Sequence, residues 1–301
     1  MRRWLPNLVT TIAAIVCVTL LSACAAEVRG APPAAENSPQ APITEVPEAP
    51  PAAPFDGLEA RVNQATEDAA AASGADIRVV VLDRNTGQIA SSEPDQPFPI
   101  ASVVKLFIAD DLLLRESRGE VELSDADRNT LDVMLRSSDD SAAQMFWDRS
   151  GGNAVIARIV ARYGLAGTTA PANGRWDVTQ STASDLVRYY DMLLNGTGGL
   201  PPEQADVIIG NLAQATPTGT DGYPQRFGIP DGLYAEPVAF KQGWFCCWNG
   251  GNQLHVSTGV IGPERRYVMA ISSLDPVGAA AAAARENITQ AVKTMFPGGT
   301  I

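Results

Sequence analysis

The chain has few residues able to do covalent chemistry, and their types and spacing narrow what that chemistry could be. There is one histidine, His255. A Ser-His-Asp relay would have to run through it, and a metal site built from several histidines is excluded. His255 alternates with Leu254 and Val256 as on a strand, which is the pattern of a structural side chain. Ser102-Val103-Val104-Lys105 offers a different nucleophile. A serine and a lysine three residues apart on a helix share one face. Ser102 stands where the helix would begin, and the helix dipole there favours a developing oxyanion. Lys105 lies within the apolar run Val103, Val104, Leu106, Phe107, Ile108. Either it reaches water from the helix edge while Ser102 caps the helix, or it is buried with a lowered pKa and acts as base for the serine.

Two further groups follow in chain order: Ser138-Asp139-Asp140, and Lys241-Gln242-Gly243 in a strand pattern just before a hairpin signal. With Phe98-Pro99 leading into Ser102, the three groups resemble the Ser-x-x-Lys, Ser-Asp-Asn and Lys-Thr-Gly elements of class A β-lactamases and penicillin-binding proteins. They occur in that family's order, at roughly its spacings, and each on the expected element: helix start, inter-helix loop, strand. The resemblance covers about Phe55 to Ile301. The alanine-rich layout with its N-terminal Leu-Ser-Ala-Cys is also similar to that of alanine-rich mycobacterial lipoproteins.

The resemblance implies an α+β, three-layer fold: a five-stranded antiparallel sheet flanked by helices, with an inserted all-helical subdomain. It also implies roles. Ser102 would attack an acyl carbonyl and Lys105 would take its proton. Ser138 would relay a proton to the leaving nitrogen, and Lys241 would hold a substrate carboxylate. The backbone N–H groups of Ser102 and Trp244 would form the oxyanion hole. Asp140, Gln242, Gly243 and Trp244 would line the substrate, and neither a cofactor nor a metal is called for.

Three departures from the family pattern bear on turnover. Between Gly164 and Gln180 there is no glutamate of the kind that activates a deacylating water, and Asp177 is the one acid there. Asp140 stands where an asparagine would donate to a substrate amide. Ionised, it cannot donate, and it would favour a charged Lys105. Gln242 replaces a small hydroxyl and would narrow the site. Efficient β-lactam hydrolysis is therefore not expected.

The rest of the chain says where this chemistry is placed. Residues 1–23 read as a signal peptide: Arg2 and Arg3, then the uncharged apolar run Leu8 to Leu21, then Leu21-Ser22-Ala23 directly before Cys24. Cys24 is the expected lipidation site, tethering the protein to the cell membrane on its outer side. Residues 24–54 are rich in Ala, Pro and Glu and read as a disordered tether. The net charge of -12 argues against nucleic-acid partners, and a monomer is expected. Cys246 and Cys247 are the remaining thiols. Strand alternation would put these neighbours on opposite faces as two small packed residues, and that reading is favoured over a strained disulfide between them.

The folded part, 55–301, divides into an α/β part (55–98 and 236–301) and a mainly helical part (99–235). A helix runs from Leu58 to Gly74, strands over Ile77–Asp83 and Gln88–Ser92, and a helix apolar on nearly every side over Ser102–Leu114. Further helices are expected after the Ser124-Asp125 cap, over Asn153–Arg162, over Ser181–Leu194 and from Pro202. Strands Val238–Trp248 and Gln253–Ile261 flank the Asn249-Gly250-Gly251-Asn252 turn, Arg266–Ser272 adds a third, and an alanine-rich helix to Met295 closes the domain. Three functions fit this reading: an envelope serine acyl-transfer enzyme acting on a peptidoglycan peptide or a β-lactam, a catalytically inactive relative that binds peptidoglycan or a protein partner, and an esterase or amidase.

Overall fold

Leu58, Val62, Ala65 and Ala69 recur at helical spacing and form the buried stripe of α1 (Leu58–Ser73), which Gly74 ends in the left-handed conformation open to glycine. The computed structural model describes residues 55–248 and 250–301, so the signal, tether and lipidation readings at 1–54, and Asn249 of the hairpin turn, lie outside the described residues. After α1 come β1 (Asp76–Asp83), β2 (Ile89–Ser92) and β3 (Phe98–Pro99). A 3-10 turn over Ala101–Val104 leads into α2 (Lys105–Ser117). There follow α3 (Asp125–Arg136), α4 (Asp140–Arg149), α5 (Ala154–Tyr163), β4 (Gln180–Ser181), α6 (Ala183–Asn195), α7 (Pro202–Leu212) and the single turn α8 (Ile229–Gly232). The chain ends in β5 (Val238–Trp248), β6 (Asn252–Ile261), β7 (Tyr267–Asp275) and α9 (Ala281–Met295).

The main sheet is five-stranded and antiparallel, in the order β2-β1-β7-β6-β5. It joins both ends of the described chain, since β1 pairs with β7 from Asp76↔Leu274 to Asp83↔Tyr267. Alternation sorts its side chains onto two faces. Ile77, Val79, Val81, Met269 and Ile271 pack with Leu58, Val62, Ile288 and Val292 of α1 and α9. Val80, Leu254, Val256, Val268 and Ala270 face the helical part and join the cluster built around α2 and α6. Helices, sheet and helices make three layers. The two-residue ribbon β3–β4, with Phe98 opposite Ser181, was not expected from sequence. It ties the segment before Ser102 to the loop before α6.

α2 is buried from Lys105 to Leu114, as its apolar run requires. It also carries two buried acids. Asp110 accepts from Arg162 and the Tyr163 hydroxyl of α5. Asp111 takes a bidentate pair from Arg158 at 2.6 and 2.8 Å. These ion pairs fix α5 against α2.

One expectation is corrected at the far end of β5. Cys246 and Cys247 are joined by a disulfide across a cis peptide bond. The packed-thiol reading assumed that regular alternation runs to the strand's end. The β5–β6 register shifts between Cys246 and Trp248, and both cysteines are exposed. Neither has an apolar pocket to fill.

Candidate active site

Ser102 sits in the 3-10 turn ahead of α2, so the α-helix proper begins at Lys105. Both side chains still share one face. The residue before the nucleophile candidate, Ala101, has φ of 46°, a conformation non-glycine residues adopt only when the surroundings impose it. β5 approaches the chain closely here. A Cβ on Gly243 would lie 2.5 Å from the carbonyl oxygen of Ile100 and 3.2 Å from the Ala101 side chain. A side chain at 243 would push the strand off the turn. Its absence brings the backbone of residues 243–244 alongside Ser102.

Lys105 Nζ is the hub. It reaches Ser102 Oγ at 2.9 Å, the Ser138 carbonyl at 2.6 Å, Ser138 Oγ at 3.2 Å and Asp140 Oδ1 at 2.6 Å. Its side chain is 0% exposed, and the Trp176 ring centroid lies 5.0 Å from Nζ. Lys241, equally buried, donates to Ser138 Oγ at 2.8 Å and to its neighbour's carbonyl, that of Gln242, at 3.1 Å. Ser138 Oγ thus stands between two lysines. Its backbone is left-handed at φ 55°, and the loop that holds it is pinned by Thr216 N–H to the Arg136 carbonyl and Thr220 N–H to the Ser137 carbonyl. The four residues Ser102, Lys105, Ser138 and Lys241 come from a helix start, a helix, an inter-helix loop and a strand, and the fold brings them into one contact chain.

Burial lowers the Lys105 pKa, because the charged form loses its hydration. Asp140 opposes this most directly, with Asp139 and Asp221 acting in the same sense. Lys241 is lowered further, by burial and then by repulsion from Lys105. The Asp140 carboxylate does favour a charged Lys105, as the sequence suggested, but burial prevails in the net direction.

The substrate-lining candidates divide. Asp140 opens α4, contacts Lys105, and leaves its own side chain 69% exposed. Gln242 is fully buried and gives its amide hydrogens to the carbonyls of Gln225 and Phe227, at 2.9 and 2.7 Å. Its donors are committed to that loop and face no ligand, which corrects the picture of a bulky donor narrowing the cleft. Trp244 stacks on Tyr223 at 4.8 Å, and its indole N–H donates to Asp221 at 3.2 Å. Asp177 is paired with Arg175 in the loop before β4 and makes no contact with Lys105. From that same loop it is Trp176 that covers Lys105, with its indole N–H donated to Gln144 at 3.1 Å.

His255 is buried under Tyr223 and Phe227, on the part of β6 opposite Trp244. Sequence reasoning missed Trp176, Asp221, Tyr223 and Gln225. Each lies in a loop without periodicity, so only the solitary aromatic or amide itself could have drawn notice. Among the described residues no cluster of His, Cys, Asp or Glu could hold a metal ion.

The sheet and the inserted helices define a β-lactamase-like fold of the penicillin-recognising type, and the chain belongs to the Beta-lactamase enzyme family, whose profile it matches over residues 58–126 and 127–296. It is 62% identical over 258 residues to a Mycobacterium tuberculosis protein named as lipoprotein LppW, a match covering 85% of this chain and 81% of that one. The narrower resemblance to alanine-rich mycobacterial lipoproteins is thereby shown to be to the W type. The fold is that of a β-lactamase from Xanthomonas campestris (TM-score 0.62, 17% identity, covering 79% of this chain and 97% of that one). It is equally that of a protein named PBP-A (TM-score 0.65, 19% identity, covering 82% of this chain and 97% of that one).

Proposed function

We propose that this chain is a cell-envelope serine acyl-enzyme, acylated at Ser102 by a peptidoglycan peptide or a β-lactam and slow to turn over. The observation that carries this reading is the unbroken contact chain from Ser102 Oγ through Lys105 Nζ and Ser138 Oγ to Lys241 Nζ. In the acylation step the Ser102 oxygen bonds to the substrate carbonyl carbon while neutral Lys105 takes the hydroxyl proton. The carbon–nitrogen bond then breaks. The leaving nitrogen receives a proton from Ser138, which is resupplied by Lys105 or Lys241. The backbone N–H groups of Ser102 and Trp244 would stabilise the oxyanion, a contribution of several kcal/mol.

Deacylation needs a water and a base. Asp177 is engaged by Arg175, and Trp176 occupies the approach over Lys105. A long-lived acyl-enzyme follows. A fluorescent penicillin should label the full chain covalently and leave Ser102→Ala unlabelled, while a chromogenic cephalosporin is turned over slowly or not at all. Fast multiple turnover that disappears in Ser102→Ala would show instead a true β-lactamase. No labelling of the wild type would favour the second reading, a non-catalytic relative that binds through the same cleft. That reading draws on the buried Gln242 donors and on the Asp140 charge beside the base.

Lipid attachment at Cys24, after removal of residues 1–23, completes the proposal. It rests on the Leu-Ser-Ala-Cys sequence and on the lipoprotein name of the 62% identical relative. Among the described residues no helix is long and apolar enough to cross a membrane.

A further inference from the structure

The cleft holds an unusual balance of charge. Its two lysines are buried, while three carboxylates, Asp139, Asp140 and Asp221, act on them. Two of the three are occupied. Asp139 Oδ1 caps α4 by accepting from Ala142 N–H at 2.7 Å. Asp221 accepts from the Tyr223 N–H at 2.9 Å and the Trp244 indole at 3.2 Å. Asp140 differs in what it holds: one of its oxygens contacts Lys105 Nζ directly at 2.6 Å, on a side chain 69% exposed. With its amide hydrogens donated to backbone carbonyls, Gln242 offers a ligand no side-chain donor.

We propose that Asp140 is the specificity-determining residue of this cleft, and that it selects acyl donors carrying an ammonium group on the acylamino side chain next to the scissile bond. The inference rests on the acyl-enzyme reading and deepens it. A cationic group on the donor pairs with the Asp140 carboxylate and takes the counter-ion away from Lys105. The buried lysine then sheds one proton to solvent, and its lone pair becomes free to accept the Ser102 hydroxyl proton. The Ser102 oxygen bonds to the carbonyl carbon, the carbon–nitrogen bond breaks, and that nitrogen leaves with a proton delivered through Ser138. A neutral donor leaves the Lys105–Asp140 pair intact, and the base stays charged in a larger fraction of molecules. The groups facing Lys105 are Asp140 of α4, Asp139 at its cap, Asp221 of the loop after α7, Lys241 of β5 and the Trp176 ring. Of these, Asp140 alone has both contact with Nζ and a face open to solvent.

The test compares ampicillin with benzylpenicillin, which differ by one amino group beside the acylamino carbonyl. Acylation of the full chain is followed by intact-protein mass spectrometry across pH. The wild type should react about tenfold or more faster with ampicillin, the scale of one charged contact, and its rate should rise at lower pH with ampicillin than with benzylpenicillin. Asp140→Asn is isosteric at an exposed position. It should bring the ratio near one and merge the two pH profiles. Labelling of the wild type at Ser102 without a preference, or a preference that survives in Asp140→Asn, overturns the inference alone. No labelling of either protein by either penicillin overturns the acyl-enzyme reading and this inference with it.

Discussion

At the scale of single residues, the proposed acylation of Ser102 turns on Lys105. A base must be neutral to accept a proton, and burial lowers the Lys105 pKa from its ordinary value of 10.5. The neutral fraction therefore grows as pH rises through that lowered value, and acylation should accelerate with rising pH up to that point before levelling. Lys105→Ala should slow acylation by about 10² to 10⁴-fold, as loss of a general base does. Stopped-flow or mass-spectrometric labelling rates against pH check both points, and a flat profile would remove Lys105 from that role. The pair itself was legible in the sequence, because i, i+3 spacing on a helix fixes which side chains meet. The direction of Gln242 was not. Its donors are satisfied by Gln225 and Phe227, and nothing local to β5 records where that loop passes. Trp176 was hidden for the same reason.

At the scale of elements, α2 shows what hydrophobic periodicity conceals. The sequence marks it as buried on nearly every side, and it is. Burial of Asp110 and Asp111 then obliges partners, and these sit about fifty residues away on α5. Asp110→Ala would strand Arg162, whose side chain is 16% exposed, and the Tyr163 hydroxyl. Breaking one side of a buried pair costs about 3–5 kcal/mol, and urea unfolding should show a loss of that size. Gly243→Ala tests the other critical junction, β5 against the turn before α2. The added methyl meets the Ile100 carbonyl, which is backbone and cannot rotate away. Penicillin labelling should fall sharply even where circular dichroism reports a folded protein. Where both ends of a strand or helix could be read from the sequence, the observed ends lie within a few residues, while α4 and α8 were not read. The β3–β4 ribbon escaped because two-residue strands carry no period, and the disulfide escaped because alternation fails where the register shifts.

At the scale of the whole molecule, His255 links the sheet to acid stability. It is buried beneath Tyr223 and Phe227, its Nδ1 has no partner among the described residues, and burial lowers its pKa from 6.5 to about 3. The unfolded chain therefore binds a proton that the folded one refuses between those values. The stability this contributes is complete above about pH 6.5 and is lost progressively as pH falls toward about 3. At about pH 4.5 the loss is roughly 2–3 kcal/mol. Urea unfolding of wild type and His255→Gln at neutral pH and at about pH 4.5 checks it, and the variant should lose less stability on acidification by about that amount. The order of the strands has a consequence in time. β1 is made early, yet its partner β7 follows about 190 residues later, after every helix of the insert. Until then β1 has only the four-residue β2 beside it, and the β5–β6 hairpin that carries Lys241 is not joined to β1. A growing or truncated chain ending before Tyr267 thus has a nucleophile but no cleft, so reactivity at Ser102 should arrive only with the last strand.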